Sequence, residues 1–173
     1  MKKSYFSWLI LTALAVVFSQ FSIQVLPQGG AISIDALFLF LILFSFGFRK
    51  FTYSVGIYIL FDIIFGTTFI SPVQWLFDYP LPIFSLGLGY LLLWKFKSST
   101  TKEVAVITIG FFIKYLCHCF SGYVFFGEYA PEGVSVVWYT ISYNFLYNLP
   151  SYVAVVIIFI ALKKLKIAYF ANN

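Results

Sequence analysis

The chain has 173 residues, of which 62% are hydrophobic and 10% are charged, and its formal net charge at pH 7 is +5. Soluble domains carry about 25% charged and about 45–50% apolar residues, so this composition excludes a water-soluble globular protein. We therefore expect a single integral membrane domain over residues 1–173, embedded in a lipid bilayer, with no stretch polar enough for a second, soluble domain.

Six apolar segments are long enough to cross a bilayer as helices, each of which needs about 20 mostly apolar residues. The predicted spans are residues 5–26, 31–48, 51–70, 73–94, 104–125 and 135–162. The predicted breaks are PQGG (27–30), the Arg-Lys pair (49–50), GTTFISP (66–72), KFKSSTTKE (95–103) and FGEYAPEG (126–133). The fold class is therefore predicted to be all-α, a polytopic membrane protein with six transmembrane helices.

Basic residues lie at alternate ends of these spans, which predicts the orientation of the protein. Ten of the eleven are Lys2, Lys3, Arg49, Lys50, Lys95, Lys97, Lys102, Lys163, Lys164 and Lys166. The positive-inside rule places those ends, and with them the N- and C-termini, in the cytoplasm. The opposite loops carry no basic residue. Because topology explains the positive charge, it gives no reason to expect nucleic acid as a partner.

The first 18 residues also match a signal peptide, with a basic start and an apolar core. No small-x-small cleavage site follows, and removal would leave an odd number of spans. We expect an uncleaved first helix.

A few ionisable residues lie at membrane depth, where a charge costs about 2.5–3.5 kcal/mol and usually has a function. They are Asp35, Asp62, Asp78, Lys114 and His118. Lys114 and His118 are four apart and share a helix face, which Gly122 continues. The alternative is a structural ion pair.

Asp78 follows one outer loop, and Tyr139 and Asn144 follow another. The polar residues therefore converge on the outer half of the predicted bundle. This favours a pocket open to an external solute over a proton path across the bilayer.

We do not expect His118 to take part in catalysis or metal binding, although Cys117 and Cys119 flank it. Residues two apart on a helix point about 200° apart, so these thiols cannot share one metal with His118 or form a disulfide together. The sequence contains no H-E-x-x-H, G-x-S-x-G or G-x-x-x-x-G-K-[ST] motif. We expect no enzyme, no metal and no cofactor, and ATP-driven transport would need an ATPase on another subunit.

Aromatic residues make up 23% of the chain, and several lie close in sequence to the polar set. They are Trp75, Phe77, Tyr79, Tyr123, Phe126, Trp138, Tyr139 and Tyr143. Aromatic rings beside a carboxylate suit a flat, cationic ring ligand, through stacking and cation–π attraction. The alternative is that these rings face lipid.

Three stretches of the sequence together resemble a known family. They are SPVQWLFDYPLPI (71–83), KYLCHCFSG (114–122) and YAPEGVSVVWYTISYN (129–144). They are similar to motifs of the thiamine-specific S components of energy-coupling factor transporters, the ThiT family, in order and spacing. YILFD (58–62) resembles the third helix of that family.

The resemblance implies a six-helix subunit in the cell (plasma) membrane that captures extracellular thiamine. In this family the subunit docks on a transmembrane coupling protein driven by two cytoplasmic ATPases. The implied substrate-binding residues are Asp78, Tyr79, Lys114, His118, Gly122, Phe126, Tyr139 and Asn144.

The resemblance also implies a role for each of these residues. The carboxylate of Asp78 meets the cationic ligand, with Tyr79 as the neighbouring aromatic. Phe126 stands where the family often has a tryptophan stacked on the ligand, and Tyr139 and Asn144 supply hydrogen bonds. Lys114 and His118 would line the pocket from the fifth helix, and Gly122 would let the ligand approach the backbone closely. We further expect Lys114 to pair with Asp78 or another acceptor.

The sequence departs from the family pattern at a few positions. Leu9 and Ala13 occupy the place of an Ala-x-x-x-Ala docking patch, and Ala31 stands where some members have an aromatic residue. Tyr139 and Asn144 are five apart and do not share a regular helical face. We expect either a distorted helix start or contacts to different parts of the ligand.

Two other functions remain open at this stage. An S component for another vitamin or a thiamine precursor keeps the architecture and changes the ligand. A stand-alone transporter would couple thiamine to protons through His118 or Asp62.

Overall fold

The computed structural model describes residues 5–165, and within them the chain is almost entirely helical. The helices are α1 (Tyr5–Gln20), α2 (Asp35–Phe46), α3 (Phe48–Phe65), α4 (Pro72–Asp78), α5 (Pro80–Ser85), α6 (Leu88–Leu93), α7 (Thr100–Phe125) and α8 (Val136–Lys164). Helices α4 to α6 form one interrupted segment, Pro72–Leu93, so the described chain has six segments in the predicted order. The predicted all-α membrane fold is confirmed.

Within residues 5–165, three segments are long and apolar enough to cross a membrane, namely Pro72–Leu93, Thr100–Phe125 and Val136–Lys164. Helices α1 and α2 are apolar but shorter. The prediction that the termini are cytoplasmic rests in part on Lys2, Lys3 and Lys166, which lie outside the described residues. The cytoplasmic placement of both termini stays a prediction.

Helix α1 ends earlier than the sequence predicted. After Gln20 the chain forms a hairpin of two short antiparallel strands, β1 (Ile23–Gln24) and β2 (Ala31–Ile32), around a 3-10 turn at Pro27–Gly29. The predicted helix over 21–26 is therefore wrong. Proline and the glycines after it break helical hydrogen bonding, and the backbone bonds within the hairpin instead, with Val25 N and Leu26 N donating to Gly30 O at 2.9 and 3.0 Å.

Helix α2 forms the centre of the core, although its twelve residues span only about 18 Å. Its side chains Leu39, Phe40, Ile42 and Leu43 are fully buried against neighbouring helices. The predicted span 31–48 is thus too long at its start, where the hairpin takes over.

The predicted break at residues 49–50 is also misplaced. Gly47, with φ of +81°, ends α2 and precedes α3, because glycine adopts this backbone conformation without a steric penalty. Arg49 and Lys50 lie in the first turn of α3.

The fourth segment is interrupted where the sequence predicted one continuous helix. Tyr79 has non-helical backbone angles and separates α4 from α5, and Pro80 starts α5. Proline lacks the N–H that a continuous helix needs, so the chain bends here. The bend lies directly after Asp78.

The interrupted segment packs unusually close to α7 at Gly110. A Cβ atom at Gly110 would lie 2.7 Å from the carbonyl oxygen of Leu86 and 2.8 Å from its Cα. Both contacts are with backbone, which cannot move aside easily. The close approach sets the position of α4 and α5 against the helix that carries Lys114 and His118.

Two contacts join basic residues to other helices near their ends. Lys50 Nζ lies 3.8 Å from the ring centroid of Trp8 and 4.2 Å from that of Tyr5, which joins the start of α3 to the start of α1. Lys163 forms an ion pair with the buried Glu103, which joins the end of α8 to the start of α7.

We expect Gly110→Ala to destabilise the protein by about 1–3 kcal/mol, because the added methyl group overpacks against the Leu86 backbone. Gly56→Ala is the matched control, since no atom lies within 4 Å of a Cβ at this helical position. It should be neutral or stabilising by up to about 1 kcal/mol. Thermal unfolding in detergent measures both, and equal melting temperatures for the two variants would contradict the close-packing interpretation.

Candidate binding site

A cavity of about 760 Å³ lies between the hairpin, the end of α3, the start of the fourth segment, and helices α7 and α8. All eight residues predicted to bind substrate line it, namely Asp78, Tyr79, Lys114, His118, Gly122, Phe126, Tyr139 and Asn144. The structure therefore brings the predicted set together at one end of the bundle. Their contact with a substrate stays a prediction.

One face of α7 lines the cavity, as the four-residue spacing predicts. Lys114, His118, Gly122 and Phe126 follow one another at successive turns. Helix α8 contributes Thr140, Tyr143, Asn144 and Tyr147, the spacing of one helical face.

Tyr139 and Asn144 line the cavity from a helix that runs without a break from Val136. Residues five apart on a regular helix point about 140° apart, so the two lie on opposite flanks of the lining face. The predicted distortion of the helix start is not needed.

Asp78, the last residue of α4, has two polar neighbours. Its Oδ2 accepts a hydrogen bond from Gln74 Nε2 at 2.5 Å, and its Oδ1 lies 3.7 Å from His118 Nδ1. The second distance is too long for a hydrogen bond. The carboxylate is thus held by a neutral amide and faces the imidazole.

We expect Lys114 to pair with Asp78 or another acceptor, and the pairing with Asp78 is wrong. Among residues 5–165, no ion pair within 4.0 Å joins these two side chains. Lys114 Nζ instead lies 5.7 Å from the ring centroid of Phe111, one turn earlier on α7. Helical side chains lean toward the N-terminus of their helix, which carries this ammonium group away from the level of His118.

Most donor and acceptor sites of the Asn144 side chain form hydrogen bonds within the protein. Its Nδ2 donates to Thr140 O at 2.9 Å and to His118 O at 3.4 Å, and its Oδ1 accepts from Tyr147 Oη at 2.6 Å. A side-chain amide has two donor hydrogens and two acceptor lone pairs, so one lone pair remains for a ligand. The contact with His118 O joins α8 to α7.

Gly122 lies at a close contact between α7 and α8. A Cβ at this position would lie 3.0 Å from Thr140 Cγ2 and 3.3 Å from Asn144 Nδ2. The glycine therefore permits helix packing beside the cavity as well as lining the cavity itself.

Tyrosines hold the cavity walls to irregular backbone. Tyr79 Oη accepts a hydrogen bond from Thr68 N at 2.9 Å, in the loop between α3 and α4. Tyr143 Oη donates to Pro27 O and so joins the hairpin to α8. The imidazole of His118 meets the ring of Tyr147 edge-on, with centroids 6.0 Å apart.

Four of the eight aromatic residues that the sequence places near the polar set line the cavity. Tyr79, Phe126, Tyr139 and Tyr143 line the cavity. Trp75, Phe77, Tyr123 and Trp138 do not, and their prediction is wrong. Neighbouring residues on a helix point about 100° apart, so closeness in sequence to a lining residue does not decide whether a ring faces the cavity. Trp138 is 64% and Tyr123 54% exposed on the outside of the bundle, and Phe77 packs on Phe120 with centroids 4.4 Å apart.

The site also contains residues that sequence reasoning did not assign to it. They include Asp35, Tyr58, Asp62, Gln74 and Tyr147. Asp35 is 2% exposed and accepts hydrogen bonds from Ser33 Oγ and, at 2.6 Å, from Tyr58 Oη. Tyr58 precedes Asp62 by four residues, and Gln74 precedes Asp78 by four. Tyr58 and Gln74 could have been identified from the sequence by this spacing, because each lies one helical turn before an intramembrane carboxylate.

The family described as thiamine transporter protein (Thia_YuaJ) matches residues 6–171 of the chain. The thiamine transporter ThiT of Bacillus subtilis is 32% identical over 161 residues, covering 86% of this chain and 84% of that protein. The thiamine transporter ThiT of Lacticaseibacillus paracasei is 32% identical over 88 residues, or 46% of this chain and 44% of that protein.

The solved structure of ThiT from Listeria monocytogenes has the same fold, with a TM-score of 0.79. It is 20% identical, and the match covers 95% of each chain. Given the family match over nearly the whole sequence and the curated relative from B. subtilis, this chain belongs to the thiamine transporter protein family and is a multi-pass protein of the cell membrane.

Proposed function

We propose that this protein is the substrate-binding S component of an energy-coupling factor importer. It captures extracellular thiamine in the cavity and delivers it to a coupling subunit and two ATPases, without catalysing a reaction. The carboxylate of Asp78 carries this proposal, since no lysine or arginine among residues 5–165 forms an ion pair with it and it lines a cavity with aromatic walls. The names of the two curated relatives support thiamine as the ligand.

Thiamine joins a permanently charged thiazolium ring to an aminopyrimidine. A carboxylate beside aromatic faces is the complement of such a cation, through charge attraction and cation–π contact. Three carboxylates line the cavity, those of Asp35, Asp62 and Asp78, against the single lysine Lys114. Among the described lining residues acidic side chains therefore outnumber basic ones, which favours a cationic ligand.

The aminopyrimidine ring needs matched donors and acceptors. In our proposal the remaining lone pair of Asn144 Oδ1 accepts from the amino group, and Tyr139 Oη and His118 bond to other polar atoms of the ligand. Tyr79 and Phe126 provide the neighbouring aromatic surfaces.

Transport against a gradient needs an energy source from another subunit. The sequence contains no nucleotide-binding loop, so we propose that ATP hydrolysis takes place on partner subunits. Leu9 and Ala13, on the exposed face of α1, are available for docking on the coupling subunit.

Thiamine titration of the purified protein, followed by its intrinsic fluorescence, should show saturable binding. Asp78→Asn should raise Kd more than about tenfold, or 1.4 kcal/mol, because it removes the charge that meets the cation. Glu128→Gln is the matched control, since this exposed loop carboxylate does not line the cavity. Absence of thiamine binding by the wild type would disprove the proposed ligand, and tighter binding of another vitamin or a thiamine precursor would replace it.

Phe126→Ala should weaken thiamine binding by about 1–2 kcal/mol, because it removes a ring that faces the cationic ligand. Phe77→Ala is the control, since Phe77 packs on Phe120 outside the cavity. Isothermal titration of both variants measures the difference, and equal losses of affinity would argue against stacking at Phe126.

Uptake of radiolabelled thiamine into proteoliposomes tests the coupling. We expect ATP-dependent uptake when the coupling subunit and ATPases are reconstituted with this chain, and none with this chain alone. Uptake by the chain alone, driven by a proton gradient, would support the stand-alone transporter instead.

A further inference from the structure

Gln74 is buried at the wall of the cavity, and both the oxygen and the nitrogen of its side-chain amide are hydrogen-bonded. Its side chain is 1% exposed. Its Oε1 accepts from Ile70 N at 3.0 Å, its backbone N donates to Ser71 Oγ at 3.1 Å, and its Nε2 donates to Asp78 Oδ2 at 2.5 Å. Since Ile70 N holds the oxygen of the amide, the amide cannot turn over without losing that bond, and its NH₂ group is directed at the carboxylate.

We propose that Gln74 is a positioning residue, which orients the Asp78 carboxylate toward His118 and the cavity. The bond from Nε2 fixes Oδ2 on the protein side, and Oδ1 is then the oxygen that faces His118 Nδ1 at 3.7 Å. The four-residue spacing on α4 puts the two side chains on one helix face. The importance of this orientation for ligand binding rests on the proposed function.

A neutral donor, unlike a cationic one, bonds to the Asp78 carboxylate without neutralising its charge. A buried carboxylate needs hydrogen-bond donors to offset the hydration it has lost. Lysine or arginine would provide them but would also neutralise the charge at short range. Gln74 provides the donor and leaves the negative charge of Asp78 available to a cationic ligand.

Without this bond the carboxylate would be free to rotate about its Cβ–Cγ bond, where the energy profile is broad. Ligand binding would then have to order it, at a cost in affinity. Gln74 thus acts on the ligand through Asp78, although Gln74 also lines the cavity. If Gln74 only stabilised the fold, the effect of its substitution on thiamine binding would be the same with and without Asp78.

His118 is the only histidine in the chain, so nitrogen-15 labelling of histidine reports one imidazole beside the Asp78 carboxylate. The protein is purified through a tag without histidine. We expect Gln74→Met, which keeps the side-chain length and removes the donor, to shift the imidazole nitrogen resonances and to raise the thiamine Kd about tenfold. In an Asp78→Asn background, the same substitution should change neither quantity, because no carboxylate remains to be oriented.

Ser71→Ala is the control for the start of α4, since Ser71 Oγ accepts from the backbone N of Gln74 and does not touch Asp78. It should lower the melting temperature while leaving the imidazole resonances unchanged and the thiamine Kd within about twofold of wild type.

Unchanged resonances and affinity in Gln74→Met would overturn the inference, as would an equal loss of affinity with and without Asp78. If the wild type binds no thiamine, the proposed function fails, and the resonances decide the inference alone. A shift in Gln74→Met that disappears in the Asp78→Asn background then supports the positioning role, and no shift overturns it.

Discussion

Backbone hydrogen bonding in lipid is the constraint on which this structure depends. Non-helical backbone at membrane depth is tolerated only where protein covers it or where it lines a water-filled cavity. Irregular stretches of the described chain near the cavity include the hairpin at 23–32, the loop at 66–71 and the bend at Tyr79. In the hairpin, Val25 N and Leu26 N donate to Gly30 O, and at the bend Tyr79 N donates to Trp75 O. In the loop, backbone N–H groups donate to Tyr79 Oη and Gln74 Oε1. The cavity therefore forms where helix formation stops and side chains take over the hydrogen bonding.

Neutral hydrogen-bond donors shape the electrostatics of the cavity. Asp35 accepts from the hydroxyl groups of Ser33 and Tyr58, and Asp78 accepts from the amide of Gln74. Hydroxyl and amide donors satisfy carboxylate lone pairs without bringing a positive charge. In a site of low dielectric constant, charge that is not neutralised acts strongly on a ligand. This arrangement is what a binding site for an organic cation requires, and it supports the proposal of thiamine.

The packing of α7 against α8 forms one wall of the cavity. Gly122 allows the two helices to approach closely, and the Asn144 amide bonds across to His118 O. Asn144 therefore has a larger share in holding the wall together than the family resemblance implies. The hairpin and the loop before α4 form another part of the wall, where Tyr143 bonds to Pro27 O, and Tyr79 and Gln74 accept from the backbone N of Thr68 and Ile70.

The sequence by itself determined the membrane class, the six segments, and the one α7 face of Lys114, His118 and Gly122, because these follow from apolar length and helical period. The site residues came from the resemblance, and only the structure shows that they share one cavity. Only the tertiary structure decided the bend after Asp78, the position of Lys114 near Phe111, and the outward direction of Trp138. The physical reason is that a local pattern gives the period of a helix but not its neighbours. Which face meets the cavity, and which donor reaches a carboxylate, depends on how the helices pack.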